Sequence, residues 1–288
     1  MIEQTGQTEW IEGKGILVWL AFFFIELGAG TFFISSLFEN LPGMVSGWLI
    51  CAVLGGGLHL LYLGHPLRSW RILVSSGWKT SWISRGLYFV GLFLVLGGIH
   101  LILTRWASLD FGLLIAADLF AFLTVMYGGL ALSFVQGIPL WNCGLLPILF
   151  CVAGLWGGTG VTLLLILSIG GIAKSGVEEI AWIFLGSYIL LVIIYLMAAT
   201  YRGRAGKFSV REMVRGRWSS IFWLLTVGLG MVLPLGVSIT SFTAGIVSVS
   251  PAFLSTIIIF ELTGDLSLRY CILRSGLYNP LVSPRGLQ

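Results

Sequence analysis

The sequence predicts an all-α integral membrane protein whose eight transmembrane helices are arranged as two four-helix bundles. Of its 288 residues, 57% are hydrophobic and only 10% are charged, and the mean hydropathy is +1.00. Apolar runs of about 20 residues, the length that crosses a ~30 Å hydrocarbon core, recur along the chain. Two long basic loops, 64–85 and 202–217, follow the second and the sixth run, and this spacing of four helices favours two related bundles.

Breaker residues and charges separate the predicted helices along the chain. A polar segment, 1–14, comes first, and a tail, 274–288, comes last. The first bundle, 15–135, contains helices at 15–38, 46–63, 86–104 and 111–135. The second bundle, 136–273, contains helices at 143–169, 180–201, 219–240 and 250–273. Glycines in "ELGAGTFF" and "GLWGGTG" predict close packing between helices through small faces.

The basic residues predict the orientation of the chain. All but two of the 16 Lys and Arg residues lie on the side that carries both termini and both long loops, the exceptions being Arg105 and Lys174. Because basic loops are retained on the cytoplasmic side, we expect both termini and the 64–85 loop in the cytoplasm. Loop charges that set topology do not indicate a nucleic-acid partner, and the bilayer itself is the expected surrounding.

Three carboxylates, Glu26, Asp118 and Glu261, lie well inside predicted helices. A bare carboxylate in hydrocarbon is costly, so each must face protein or water, be paired, or hold its proton. We predict proton-transfer roles for all three, with a neutral packing role as the alternative. Asp265 and Arg269 are spaced i,i+4 and predict an ion pair with a structural role.

The histidines and cysteines do not indicate a redox centre. A transmembrane b-type haem needs two axial histidines at matching depth on facing helices. His59 lies near the cytoplasmic end of the second helix and His100 near the opposite membrane side of the third, roughly 15–20 Å apart in depth at ~1.5 Å per residue. His65 lies beyond a helix end. The four cysteines lie in apolar runs without C-x-x-C spacing, which is typical of packing residues. We therefore expect no haem, iron–sulfur cluster or metal ion in this protein.

Four stretches carry a resemblance to a known family. "YLGHPLRSWRIL", followed by "TSWISRG", resembles the loop between the second and third helices of the NrfD/polysulphide-reductase membrane subunits, to which the dimethyl-sulfoxide-reductase anchor subunits are related. "GAGTFF", "IPLWNCGLLPILF" and "GDLSLRYCILRSG" also match, in the right order. "SRG" lacks the acidic residue that follows "SR" in the dimethyl-sulfoxide-reductase branch, which favours the NrfD branch.

The resemblance implies a haem-free subunit of an anaerobic respiratory complex in the prokaryotic inner membrane. Such subunits bind menaquinone or another quinone and exchange electrons with a four-cluster, ferredoxin-like iron–sulfur subunit, often joined to a molybdopterin catalytic subunit. The resemblance also allows for proton translocation coupled to this electron exchange. In the best-known members the partner docks on the outer face, whereas the charge pattern here predicts docking on the cytoplasmic face.

The resemblance also implies a quinone site beneath the 64–85 loop, which we assign to Tyr62, His65, Arg68, Arg85 and Trp82. Two-electron quinone chemistry moves two protons, so the site needs hydrogen-bonding groups and a path to water. Histidine exchanges protons near neutral pH. The arginines provide cationic donors for a quinone oxygen or for acidic patches on the partner.

Two other functions remain open. An eight-helix secondary transporter would place substrate-binding charges at the bilayer midplane, and Pro234 and "GGTG" permit broken helices there. The charges cluster instead at one interface. A purely structural membrane anchor of an enzyme complex would leave Glu26 and Asp118 without a purpose.

Overall fold

The computed structural model describes residues 6–8, 10–65, 68, 71, 76–103, 110–168, 176–244 and 250–279. Within these ranges almost all of the protein is helical, and a short 3-10 helix, Ser76–Lys79, precedes the third long helix. We name the long helices α1 (Gly15–Leu37), α2 (Leu41–Tyr62), α3 (Trp82–Leu103), α4 (Asp110–Ser133), α5 (Leu145–Ser168), α6 (Val177–Thr200), α7 (Gly203–Val214), α8 (Ile221–Val232 continued by Leu233–Ala244) and α9 (Pro251–Arg274).

Local sequence signals explain where two of these helices begin. The Asn40 side chain accepts a hydrogen bond from the Gly43 N–H at 3.3 Å and caps α2. Ser250 caps α9 in the same way, through Phe253 at 3.3 Å, with proline at the first helical position. The sequence did not predict that α2 and α8 contain π-helical segments, Ile50–Gly56 and Ile221–Val232.

Helix α1 lies at the centre of the molecule and packs against α2, α4 and α5. Its contact with α5 depends on small residues, because a Cβ atom at Gly30 or Gly158 would collide with the backbone of the opposite helix. Gly230 of α8 and Gly264 of α9 meet in the same manner. The prediction that the glycine-rich stretches allow close packing between helices is confirmed.

Both described ends of the chain meet on one side. Gly6 and Leu277 form an antiparallel bridge, and the Leu277 N–H donates to Ser209 of α7 at 3.2 Å. The Asn279 N–H donates to the carbonyl of Gly137 at 2.9 Å. We call this side, built from 6–8, 10–12, 134–142, 202–217 and 275–279, the terminal face. The rings of Trp82 and Phe134 lie 5.1 Å apart, so α3 also begins there.

Among the described residues, seven helices are long and apolar enough to cross a membrane, namely α1 to α6 and α8. The molecule is therefore a multi-pass membrane protein. Helix α9 has the same length as its neighbours, 24 residues, but carries Glu261, Asp265, Arg269 and Arg274 and is less apolar. The count of eight membrane-spanning helices, the division at 135–136 and the two four-helix bundles stay predictions.

Two helix predictions need correction. Helix α2 begins at Leu41 and not at 46, because Asn40 provides the cap. The predicted loop 202–217 contains a helix, α7, whose residues Ala205, Ser209 and Met213 are buried while its basic residues are exposed. The i,i+4 spacing of those buried positions gives the helix one face that packs on the protein.

Candidate functional site

Glu26 in the middle of α1 is fully buried and belongs to a cluster of three ionisable side chains. Its Oε2 atom lies 2.5 Å from Nη1 of Arg269 on α9. The same guanidinium donates from Nε to Oδ2 of Asp265 at 2.9 Å and lies 4.4 Å from the ring centroid of Phe150. We call Glu26, Asp265 and Arg269 the Glu26 cluster.

The geometry of this cluster confirms one prediction and corrects two. Asp265 and Arg269 do pair, as their spacing predicted. The pair is not an isolated structural feature of α9, however, because Arg269 also binds the carboxylate of α1. Arg269 is only 2% exposed, so it does not belong among the loop charges that predict orientation. Without Arg269, the asymmetry of the loop charges in the sequence still predicts the same orientation.

The second carboxylate oxygen of Glu26, Oε1, has no hydrogen-bond partner among the described residues. It points at Gly128 of α4, where a Cβ atom would collide with it. Two carboxylates share a single guanidinium in the Glu26 cluster, so the uptake of one proton would make the cluster neutral. Oε1 is the atom of Glu26 at which that proton can bind.

An aromatic group connects Glu26 with the beginning of α3. The ring of Phe22, one turn before Glu26 on α1, lies 5.8 Å from the His59 ring and 5.4 Å from the Tyr127 ring. The Nδ1 atom of His59 is buried and has no partner among the described residues. A Cβ atom at Gly86 would collide with the Tyr127 ring, so α3 begins directly against this group. We call Phe22, His59 and Tyr127 the His59 group.

Trp82 and Arg85, two of the predicted quinone-site residues, lie side by side in the first turn of α3. The Arg85 guanidinium lies 4.6 Å from the Trp82 ring centroid, and its Nη2 atom donates to the Lys79 carbonyl at 2.6 Å. The indole Nε1 of Trp82 is buried without a partner among the described residues.

The other predicted quinone-site residues lie at the end of α2 and just beyond it. Tyr62 is the last residue of α2 and is 39% exposed. His65 and Arg68 are exposed, and the Arg68 N–H donates to the His65 carbonyl at 2.9 Å. Residues 66–67, 69–70 and 72–75 of the predicted loop lie outside the described residues. The structure therefore describes the five residues as two groups, Trp82 with Arg85 at the start of α3 and Tyr62, His65 and Arg68 around the end of α2. Their quinone-binding role stays a prediction.

The remaining predicted carboxylates occupy different parts of the helix packing. Asp118 of α4 accepts a hydrogen bond from Ser36, whose Oγ lies 2.8 Å from both carboxylate oxygens. Ser36 lies about 15 Å beyond Glu26 along α1 at ~1.5 Å per residue. Glu261 lies one turn before Asp265 on α9 and borders a small cavity of about 10 Å³ that also touches Asp265 and Arg269. Such a volume is about that of one water molecule.

Glu261 also borders a second cavity, of about 50 Å³, on its other side. That cavity is lined by Glu178 at the start of α6, together with Ser238 and Pro234 of α8. Glu261 thus lies between the Glu26 cluster and the helix ends opposite the terminal face. Asp118, which contacts Ser36, lines neither of these two cavities.

Sequence reasoning missed the link between Glu26 and Arg269 and the position of Tyr127. Contacts between distant helices leave no trace in the periodicity of either helix. The sequence contained one weak signal of this contact. The two glycines of "YGG", Tyr127 to Gly129, leave space beside α4 for a side chain of another helix. His59 was considered only as a haem ligand, whereas it packs against aromatic rings beside Glu26.

Known proteins resemble this one over most of its length. A family model described as "Polysulphide reductase, NrfD" matches residues 6–280. The C subunit of the polysulfide reductase of Wolinella succinogenes is 25% identical over 250 residues, which cover 77% of the present sequence and 78% of that subunit. A protein NrfD homolog of Haemophilus influenzae is 26% identical over 156 residues, which cover 52% of the present sequence and 48% of that protein. The resemblance predicted from the 64–85 loop is confirmed.

Proposed function

Because the chain belongs to the NrfD polysulphide reductase family, it is a membrane subunit of a respiratory oxidoreductase, and we propose that it binds a quinone and exchanges electrons with an iron–sulfur partner subunit. The observation that supports this proposal is that three buried polar atoms, Nε1 of Trp82, Nδ1 of His59 and Oε1 of Glu26, have no partner among the described residues. His59 packs on Phe22, one turn from Glu26, and on Tyr127, which contacts the first turns of α3 at Gly86. Buried polar atoms are rarely left unpaired without a functional reason.

The residues at this position fit a quinone head group such as that of menaquinone. A flat ring with two carbonyl oxygens requires aromatic or apolar walls and a few hydrogen-bonding groups. The His59 group provides aromatic rings and the free Nδ1 atom, and Trp82 provides an indole N–H. Tyr62, His65, Arg68 and Arg85 line the approach from the terminal face. When bound, a quinone supplies two-electron, two-proton chemistry at its carbonyl oxygens.

In this proposal the Glu26 cluster handles protons. Arg269 fixes Oε2 of Glu26 at 2.5 Å, so the carboxylate cannot turn away, and Oε1 remains available to accept and release a proton. Glu261, next to the small cavity beside Asp265, extends the path away from the His59 group. Asp118, with its Ser36 hydrogen bond, serves as a separate proton carrier. A proton path from Glu26 through Asp265 to Glu261 leads away from the quinone position. It would permit proton translocation coupled to electron transfer.

The proposed topology has eight membrane-spanning helices in two four-helix bundles, with both termini in the cytoplasm of a prokaryotic cell. Its support is the bridge between Gly6 and Leu277, because two chain ends on one side require an even number of crossings. The terminal face then receives a four-cluster, ferredoxin-like subunit that connects to a molybdopterin catalytic subunit. Trp82, Arg85, His65 and Arg68 lie on this side, where a cluster in the partner can approach them.

Substitution at the rim tests the proposal. Removal of a donor to a developing charge costs ~2–4 kcal/mol, or roughly 30- to 1000-fold in rate. Tyr62→Phe and Arg68→Ala should therefore reduce quinone-linked turnover of the purified complex by such factors, while activity with a soluble electron carrier persists. Lys79→Ala is the matched control, since its carbonyl and not its ammonium group contacts Arg85.

Two results would argue against this function. Turnover within about twofold of wild type for both rim variants, less than ~0.5 kcal/mol, would put the quinone elsewhere. A complex that contains the iron–sulfur partner but no extractable quinone would favour the structural anchor. The protein itself should contribute no b-type haem absorbance, because His59 and His100 lie in the last turns of α2 and α3, which end on opposite sides of the molecule.

A further inference from the structure

A cavity of about 380 Å³ opens on the terminal face beneath the amphipathic helix α7. Its walls come from the segment before α1, from α7, from the turn between α7 and α8, and from the end of α9 and the residues that follow it. It is separate from the Glu26 cluster and the His59 group, and nothing in the quinone proposal makes use of it. The residues that give it chemical character are Glu12, Glu212, Arg217, Trp218, Arg274 and Ser275.

Two arginines converge on Trp218 in this cavity. The guanidinium carbons of Arg217 and Arg274 lie 5.1 Å and 5.2 Å from its ring centroid. The two acidic side chains are already engaged. Glu12 accepts from Nη1 of Arg274 at 2.5 Å, and Glu212 accepts from the main-chain N–H of Arg217 at 3.4 Å.

Three donors in the cavity remain free within the described part of the protein. Nε of Arg274 and Oγ of Ser275 are buried without partners, and Ser275 is only 2% exposed. The Arg217 guanidinium makes no hydrogen bond to the described residues beyond its contact with the Trp218 ring. Free guanidinium and hydroxyl donors around one space are the groups that bind phosphate oxygens.

We propose that this cavity binds the phosphate of an anionic phospholipid. The location favours a lipid over a soluble anion, because the cavity lies where α8 begins and α9 ends, at the boundary of the membrane. Phe208, which lines the cavity, and Trp223 nearby are 43% and 51% exposed, as expected for side chains at a lipid interface. The Trp223 indole donates to the carbonyl of Val214 at 2.9 Å and so fixes the end of α7.

The exposed basic residues of α7 and its flanks give the surroundings a positive charge that attracts anionic lipids; they are Arg202, Arg204, Lys207, Arg211 and Arg215. A lipid in the cavity would contact the turn between α7 and α8 and the end of α9 at once. The bound lipid would thereby stabilise the packing of the second half of the protein. This inference does not rest on the quinone proposal.

Native mass spectrometry of the purified full-length protein tests the proposal with phosphatidylglycerol, phosphatidylcholine of the same acyl chains, and inorganic phosphate as probes. We expect phosphatidylglycerol to bind at least ~10-fold more tightly than either other probe, since it alone combines the anionic phosphate with acyl chains. Arg217→Gln should weaken that binding ~10-fold. Arg204→Gln, the same charge change on α7 outside the cavity, should alter it less than twofold.

Each contrary result overturns the proposal. Equal losses for Arg217→Gln and Arg204→Gln would mean diffuse attraction to a basic surface. Inorganic phosphate that binds as tightly as phosphatidylglycerol would identify a soluble anion as the ligand. The Arg217 guanidinium makes no hydrogen bond within the described residues and contacts only the Trp218 ring. Thermal unfolding of Arg217→Gln in phosphatidylcholine nanodiscs should therefore stay within ~4 °C of wild type. Ser275→Ala provides a second variant and should weaken lipid binding severalfold.

Discussion

Arg269 is the residue on which the buried charges of this molecule depend. It binds Glu26 of α1 at 2.5 Å and Asp265 of its own helix at 2.9 Å, and its side chain is only 2% exposed. A buried ion pair contributes little net stability, because desolvation offsets attraction. Removal of one partner is costly, because the other charge is left uncompensated. The cluster therefore responds differently to the loss of its cation and to the loss of one carboxylate.

Arg269→Ala should lower the free energy of unfolding by about 3–5 kcal/mol, since two buried carboxylates lose their common partner. Unfolding of the purified protein in mixed micelles with increasing SDS measures this change. The control is Arg211→Ala, an exposed arginine of α7, for which we expect less than ~0.5 kcal/mol. The double variant Arg269→Ala/Glu26→Gln should regain part of the loss. Equal effects of the two single arginine variants would contradict the role assigned to the cluster.

Glu26→Gln should affect function more than stability. Glutamine keeps the shape of the side chain and can still accept a hydrogen bond from Arg269, but it cannot carry a proton. Quinone-linked turnover should fall about 100-fold or more, as expected for the loss of a general acid–base group, while quinone content after purification stays the same. Glu179→Gln, an exposed glutamate at the opposite helix ends, serves as the control. Unchanged turnover in Glu26→Gln would remove Glu26 from the proton path.

For individual residues, the sequence predicted which side chains are unusual in a membrane helix but not which of them contact each other. Glu26 stands out because a carboxylate in an apolar run is costly wherever it points. Its partner lies on a helix 243 positions away along the sequence, and no periodicity within α1 reports that contact. The i,i+4 pair of Asp265 and Arg269 was predictable because its geometry is local to one helix.

At the scale of elements, the prediction worked for apolar helices and failed for α7. Runs of about 20 apolar residues have few structural alternatives in a membrane. The stretch from Arg202 to Arg217 is rich in basic residues, and its small buried positions, Ala205 and Ser209, give a weak apolar signal. Its helix forms because one face packs on the protein and the other faces water and lipid headgroups.

The contact between α1 and α5 provides a test of helix packing. Gly158→Ala should lower the free energy of unfolding by about 1–3 kcal/mol, because the added methyl group would meet the backbone of Gly30 and Thr31, which cannot rotate away as side-chain atoms can. Gly186→Ala on α6 is the matched control, since no atom lies within 4 Å of its Cβ position. That control should be neutral or stabilising by up to ~1 kcal/mol. SDS unfolding of both variants measures the difference, and equal values would contradict the packing argument.

For the whole molecule, orientation rests on two independent observations. The loop charges predict which side is cytoplasmic, and the bridge between Gly6 and Leu277 puts both described chain ends on the same side. The sequence provided the first, because basic residues in loops are visible without a structure. It could not provide the second, because pairing of the two chain ends depends on how all the helices assemble. The second observation depends on helix α9, since it returns the polypeptide to the terminal face.

Reporter fusions at two positions test this topology. A reporter after Gln288 should be active as a cytoplasmic fusion and silent as an exported one, because the basic loops share its side. A truncated fusion after Ala244, the last residue of α8, should give the opposite pattern, because α9 then no longer returns the polypeptide. The same side for both fusions would mean that α9 does not cross the membrane, despite its 24 residues. A third result is possible, in which the reporter after Gln288 is exported and the one after Ala244 is cytoplasmic. That result would agree with eight crossings but would move the terminal face, and with it the iron–sulfur partner, to the outer surface.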